Sequence, residues 1–152
     1  MAREVGGFGL CVEKKFGWFG KCSYICTRFY NTNLHKPTDM TLREIVDKLE
    51  ATVGLGSDKL DMEVEQCFAS DLMSDVLTLK ETPVLITGLC NVQTIRTCDM
   101  ANLEVVIFVR GKRPSEDMVE LADENDMVLI CTTYSMFKTC GLLWELGLKP
   151  LY

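Results

Sequence analysis

The sequence predicts an α/β fold: a small parallel β-sheet with βαβ crossovers and helices packed on it. Three observations carry this expectation. Short apolar, β-branched runs recur at residues 84–87 (VLIT), 105–109 (VVIFV) and 127–131 (MVLIC). Continuous runs of this kind are the pattern of strands buried on both faces. Each is followed by a stretch whose apolar residues return at helical spacing. Strand and helix alternating in this way call for parallel neighbours joined by right-handed crossovers.

The regular pattern begins at Met40. Thr41 and Glu44 stand at capping-box spacing, and Leu42, Ile45, Val46 and Leu49 then form one apolar helical face. The segment VGLGSD at 53–58 carries loop or hairpin chemistry. Residues 64–69 (VEQCFA) alternate as a strand does. Residues 70–76 read as a loop entering a short helical turn, with Ser74 or Asp75 as its cap. The run at 84–87 follows Pro83 and stops at Gly88. Asn91 then caps a helix to about Ala101, with Val92, Ile95 and Cys98 inward. Pro114 suits a first helical position, Glu116 and Asp117 favour that positive helix end, and Met118, Leu121 and Ala122 face inward. The final helix covers 134–146 and is stopped by Gly147 and Pro150.

Charge divides the chain at the same point. Residues 1–39 hold six Lys or Arg against three acids, and residues 40–152 hold ten against nineteen. The first segment is rich in aromatics, contains five of the eleven glycines and keeps no period, apart from a possible short strand within 21–30. It reads as an irregular or disordered leader, or as an upstream stretch admitted by a mis-assigned start, ahead of an α/β domain at 40–152. It lacks the uninterrupted apolar core of a secretory signal.

With 47% apolar and 25% charged residues in 152, the composition is that of one globular domain. A net charge of −6 argues against a general nucleic-acid binder. No apolar run approaches the ~20 residues that span a bilayer, so no membrane partner is expected. Of the eight cysteines, three lie in the leader. Cys11, Cys22, Cys26 and His35 are metal-ligand types, but only one close pair occurs where zinc sites normally show two, and no metal is expected. The rest read as buried free thiols in a reducing, cytoplasmic setting.

The single histidine, His35, leaves no base for a nucleophilic triad in the regular domain, and no phosphate-binding Gly-x-x-x-x-Gly-Lys loop occurs. No catalytic residue and no cofactor are expected. What remains is the sheet edge at the carboxyl ends of the strands, where open parallel sheets bind ligands. That edge gathers Thr87, Gly88 and Asn91 from the first unit. The second unit adds Arg110, Gly111, Lys112 and Arg113, and the third adds Thr132, Thr133 and Ser135. Arg110, Lys112 and Arg113 form the dense basic cluster of an otherwise acidic domain. Beside helix N-termini they suit an anion such as a phosphate. The competing reading is a solvated strand-to-helix loop. The final helix is apolar on more than one face, which makes Leu143 and Trp144 candidates for the interface of a homodimer. The first helix and the leader could also cover that surplus.

Several stretches, in this order and spacing, carry a family resemblance. They are TLREIVDKLEA, SDLMSDVL, PVLITGLCNV, VVIFVRGKRPSEDMVELADENDMVLICTT and FKTCGLLWELGL. Together they make residues 40–148 resemble the DRTGG domain, which is similar to the N-terminal domain of bacterial HPr kinase/phosphorylase. The resemblance implies a non-enzymatic regulatory or protein-interaction module acting on a partner regulatory protein or enzyme. It supplies no catalytic residues, and the phosphate loop that a kinase needs is absent. The alternative is a sensor that binds a nucleotide or other phosphorylated ligand at the carboxyl-end loops.

Overall fold

A computed structural model describes residues 40–152. The leader at 1–39, its strand within 21–30 and the ligand types Cys11, Cys22, Cys26 and His35 lie outside the described residues.

The elements run β1 (Met40–Thr41), α1 (Leu42–Lys48), β2 (Thr52–Leu55), a 3₁₀ turn (Ser57–Lys59), β3 (Glu63–Val64), β4 (Gln66–Ala69), α2 (Met73–Val76), β5 (Val84–Thr87), α3 (Val92–Met100), β6 (Val105–Phe108), α4 (Glu116–Glu124), β7 (Val128–Cys131), α5 (Met136–Leu146) and β8 (Lys149–Pro150). Six strands form one sheet in the order β2-β7-β6-β5-β4-β8, and β1 pairs with β3 in a separate ladder. Strands β4 to β8 are mutually parallel, and β2 runs antiparallel to β7 at one edge. The expected α/β class is therefore the observed one.

The central strands are buried on both faces because each face meets its own helical layer. Val84, Ile86, Ile107, Val109, Val128 and Ile130 pack in one core with Leu42, Ile45 and Leu143 from α1 and α5. Leu85, Val106, Phe108 and Leu129 point the other way, into a second core with Ile95, Cys98, Met118 and Ala122 from α3 and α4. Side chains alternate across a strand, so both residue sets must be apolar. The sequence shows this as unbroken runs. From β4 to β7 the chain steps across the sheet strand by strand, with α3 and α4 on the second core. After β7, α5 crosses the first core and delivers β8 to the far edge beside β4.

Several local expectations need correction. The glycine-bearing stretch at 53–58 is not simply a loop: its first half is edge strand β2, with a bulge between Val53 and Leu55. Glycine inside a strand commonly marks such a bulge. The strand expected at 64–69 breaks at Glu65, because Val64 pairs with Met40 while Cys67 pairs with Val84. The cap of α2 is neither Ser74 nor Asp75, which lie inside the helix, but Leu72, without a side-chain hydrogen bond. The Ser70 hydroxyl instead accepts from the Leu72 amide at 3.0 Å. Pro114 precedes the N-cap Ser115 and is not the first helical residue. The final helix starts at Met136, because the Ser135 hydroxyl accepts from the Lys138 amide at 3.3 Å. Pro150 does not only end that helix: it lies in edge strand β8 beside β4, where the Lys149 and Leu151 amides donate to the carbonyls of Glu65 and Cys67. A proline is tolerated there because its missing N–H falls between the two paired positions.

Candidate functional site

Parallel strands β4 to β7 end on one edge, and the first residues beyond them converge. Asp71 leaves β4, Thr87 and Gly88 close β5, Arg110 follows β6, and Thr132 follows β7. The Asp71 carboxylate lies at the centre. Its Oδ1 accepts from the Thr87 hydroxyl at 3.0 Å and from the Gly88 amide at 2.6 Å. Its Oδ2 accepts from Arg110 Nη2 at 2.8 Å, in an ion pair with both side chains about half exposed. Partial burial acts to raise the Asp71 pKa. The Gly88 amide, the Thr87 hydroxyl and the Arg110 guanidinium outweigh it and hold the group below its ordinary value.

Two local features aim Arg110 at this point. Arg110 and Gly111 both have positive φ, 65° and 66°, and the Lys112 amide returns to the Val109 carbonyl at 3.4 Å. Two consecutive positive φ values under such a bond are the pattern of a type I′ turn. The turn is tied to the next loop: the Arg110 amide donates to the Tyr134 carbonyl at 2.7 Å and the Gly111 amide to the Thr132 carbonyl at 2.9 Å. The guanidinium then lies across Gly88. A Cβ at Gly88 would coincide with it, since the nearest atoms are Nη2, Cζ and Nε of Arg110. Absence of a side chain at Gly88 is what gives the cation its place.

The edge thus brings Thr87, Gly88 and Arg110 together around a residue that the sequence reading passed over. Asp71 sits in an ordinary polar loop, and nothing in its neighbours marks it. The other expected ligand residues have different employment. Asn91 accepts from the Thr94 amide at 2.9 Å and caps α3. The buried Thr132 hydroxyl donates to the Leu49 carbonyl at 3.0 Å and accepts from the Tyr134 amide at 3.2 Å. Ser135 caps α5. Thr133 is exposed, as are Lys112 and Arg113, which make no ion pair among the described residues. Leu143 must leave the interface assignment: it is fully buried in the first core. Trp144 is 53% exposed. It borders an apolar groove of about 260 Å³ with Phe68, Cys140 and Tyr152. A wider cleft of about 530 Å³ opens elsewhere, beside the amino ends of β4, β5 and β6. Glu63, Glu65, Glu81 and Glu104 line it with Lys80 as the one basic residue, so its net negative charge opposes an anionic ligand. No group of residues suited to hold a metal ion occurs among the described residues, and no helix there is long and apolar enough to cross a membrane.

No protein-family model matches the sequence, and no curated protein matches it. Among solved structures the chain is similar to the crystal structure of the CBS and DRTGG domains of the regulatory region of Clostridium perfringens pyrophosphatase, complexed with its activator diadenosine tetraphosphate. The TM-score is 0.56 and the identity 19%, over 69% of this chain and 46% of that one. The chain therefore spans less than half the length of the protein it matches. At this identity the likeness is one of fold: the α/β architecture described above occurs within a regulatory region.

Proposed function

We propose that the chain is a non-enzymatic regulatory module of the DRTGG kind that senses a nucleotide or other phosphorylated ligand at the carboxyl edge of its sheet, in the cytoplasm. The observation that carries this reading is the convergence of three donors on one anionic position: the Gly88 amide, the Thr87 hydroxyl and the Arg110 guanidinium. Backbone amide, hydroxyl and arginine are the groups that bind phosphate oxygens. Lys112 and Arg113, exposed on the same loop, add the charge that a di- or triphosphate needs. The similarity to a regulatory region complexed with a nucleotide activator supports the same reading. The module would pass its state to a partner regulatory protein or enzyme. Thermal-shift measurements with nucleotides and sugar phosphates test it. A ligand at 100 times its dissociation constant adds ~2.7 kcal/mol and raises the melting temperature by several degrees. A flat response across mono-, di- and triphosphates would refute the sensor.

A second reading, self-association as a homodimer, is favoured by the outer face of α5. Phe137 is 91% exposed and Trp144 53%, seven residues apart and so on one helical face, and Tyr152 near the groove is 84% exposed. Part of the apolar surplus of α5 is absorbed internally, since Cys140, Leu142 and Leu146 pack against the core that includes α1. Sedimentation equilibrium of the full chain at micromolar concentration checks the rest. A dimer mass that reverts to monomer in Trp144→Ala supports this reading, and a monomer mass in the wild type refutes it.

A further inference from the structure

We infer that Asp71 is an internal stand-in for the ligand's phosphate, seated in the anion site of the ligand-free chain and displaced when the ligand enters. The inference rests on the proposed ligand site and adds how that site is closed. The donors are engaged before any ligand arrives: two hydrogen bonds to Oδ1 and one to Oδ2 occupy the Gly88 amide, the Thr87 hydroxyl and one N–H of the Arg110 guanidinium. A phosphate group therefore cannot reach the Gly88 amide or the Thr87 hydroxyl while the carboxylate stays. Two like charges sharing one seat repel, so exchange is the way in.

The segment that carries Asp71 is held by few buried contacts, whereas Thr87 and the backbone of Arg110 are held firmly. Thr87 is fully buried at the end of central strand β5. Arg110 is fixed at its backbone by the bonds of the type I′ turn to the loop after β7. The Asp71 segment runs into the four-residue helix α2, whose N-cap makes no side-chain bond and whose one wholly buried residue is Val76. Leu72 and Leu77 on either side are 58% and 48% exposed. Few buried contacts and an uncapped helix are the marks of a segment that opens locally at low cost. Withdrawal of Asp71 would rotate α2 outward and expose new apolar surface beside the sheet edge. Ligand occupancy would in this way become a change of shape that a partner can read.

Population arithmetic gives the size of the effect. Apparent affinity is reduced by the fraction of molecules in the open, competent state, so a seat that is filled about 99% of the time weakens ligand binding ~100-fold. Inorganic pyrophosphate titrated calorimetrically into the full chain is the test, with Asp71→Asn and Arg110→Gln as variants. Asn keeps the shape and an acceptor for Gly88 while removing the charge. We expect Asp71→Asn to bind pyrophosphate at least ~10-fold more tightly than wild type, and Arg110→Gln to lose binding. Arg110-dependent binding of equal strength in wild type and Asp71→Asn overturns the stand-in and leaves the ligand site standing. No binding by any of the three, or binding indifferent to Arg110→Gln, overturns both. A wild-type readout guards against misfolding of the variants. Gly88 amide nitrogen should show a scalar coupling across the hydrogen bond to the Asp71 carboxyl carbon without ligand. At saturating pyrophosphate that coupling should give way to one with phosphorus. Retention of the Asp71 coupling in the bound state overturns the exchange.

Discussion

Gly88→Ala isolates the packing of Arg110 over the sheet edge. Gly88 is not among the glycines with positive φ, so alanine is compatible with its backbone. The three heavy atoms nearest to an added Cβ all belong to the Arg110 guanidinium. The methyl group therefore evicts the far end of one side chain and breaks its 2.8 Å ion pair with Asp71. Because both partners are about half exposed, the pair is worth no more than ~1 kcal/mol after solvent screening. The Asp71 bonds to Gly88 and Thr87 strain as the guanidinium moves, and we expect a total loss of about 1–2 kcal/mol. Where Arg110 is already alanine, the obstacle is gone. Gly88→Ala should then be neutral, or stabilising by ~0.5 kcal/mol through reduced unfolded-state entropy. Urea denaturation of wild type, both single variants and the double variant closes the cycle, with a coupling of at least ~1 kcal/mol expected for groups in direct contact. A Gly88→Ala cost that persists in the Arg110→Ala background would refute the reasoning, since backbone or another side chain would then fill the space.

Other expectations follow from the same description. Burial pushes the Cys98 thiol up to about 12 and Cys67 up to about 11, so peptide mapping after native alkylation at pH 8 should find Cys98 unlabelled; prompt labelling would contradict its place in the core. Because the folded pKa of Asp71 is depressed, its contribution is present above the unfolded value and lost as pH falls through the lowered one. Asp71→Asn should accordingly be less stable than wild type at pH 6, with the difference shrinking below about pH 4; a gap that widens on acidification would reverse the sign. A chain beginning at Met40 should melt with the full chain, since Thr41 and Glu44 close the capping box of α1 between themselves; a fall of many degrees would place part of 1–39 in the folded core.

Legibility in the sequence tracked the range of the interaction. The central strands were readable because burial on both faces writes itself into consecutive residues, as at 105–108. The caps Thr41 and Asn91 were readable because donor and acceptor lie three residues apart. The misreadings occur where distant pairing overrides local chemistry. Gly54 looks like a turn until Leu129 recruits its strand to the edge. Glu65 looks like mid-strand until Met40 claims the residue before it. The edge at the strand ends was legible as a place, because topology alone gathers those loops. Which side chains would face a ligand was not. Thr132 and Ser135 carry the right chemistry, but their hydroxyls close backbone bonds. Asp71 was passed over because its partners stand 16, 17 and 39 residues away.

Backbone strain at the edge points to the same residue as the hydrogen bonds do. Four non-glycine residues among those described have positive φ: Glu50, Asn102, Arg110 and Asp126. Glu50, Asn102 and Asp126 directly follow the C-caps of α1, α3 and α4, where a left-handed residue is a common way to end a helix. Arg110 follows a strand instead. An L-residue there gives up roughly 1–2 kcal/mol that glycine would not. Gly111 beside it shows that the turn can use glycine, so the arginine is not required by the backbone. Its place is held by amide bonds to the carbonyls of Tyr134 and Thr132, and what the strain achieves is to lay a guanidinium over Gly88. A local rule broken at a sheet edge, with supporting bonds arranged around it, is the mark of a residue kept for what its side chain meets. That partner is Asp71.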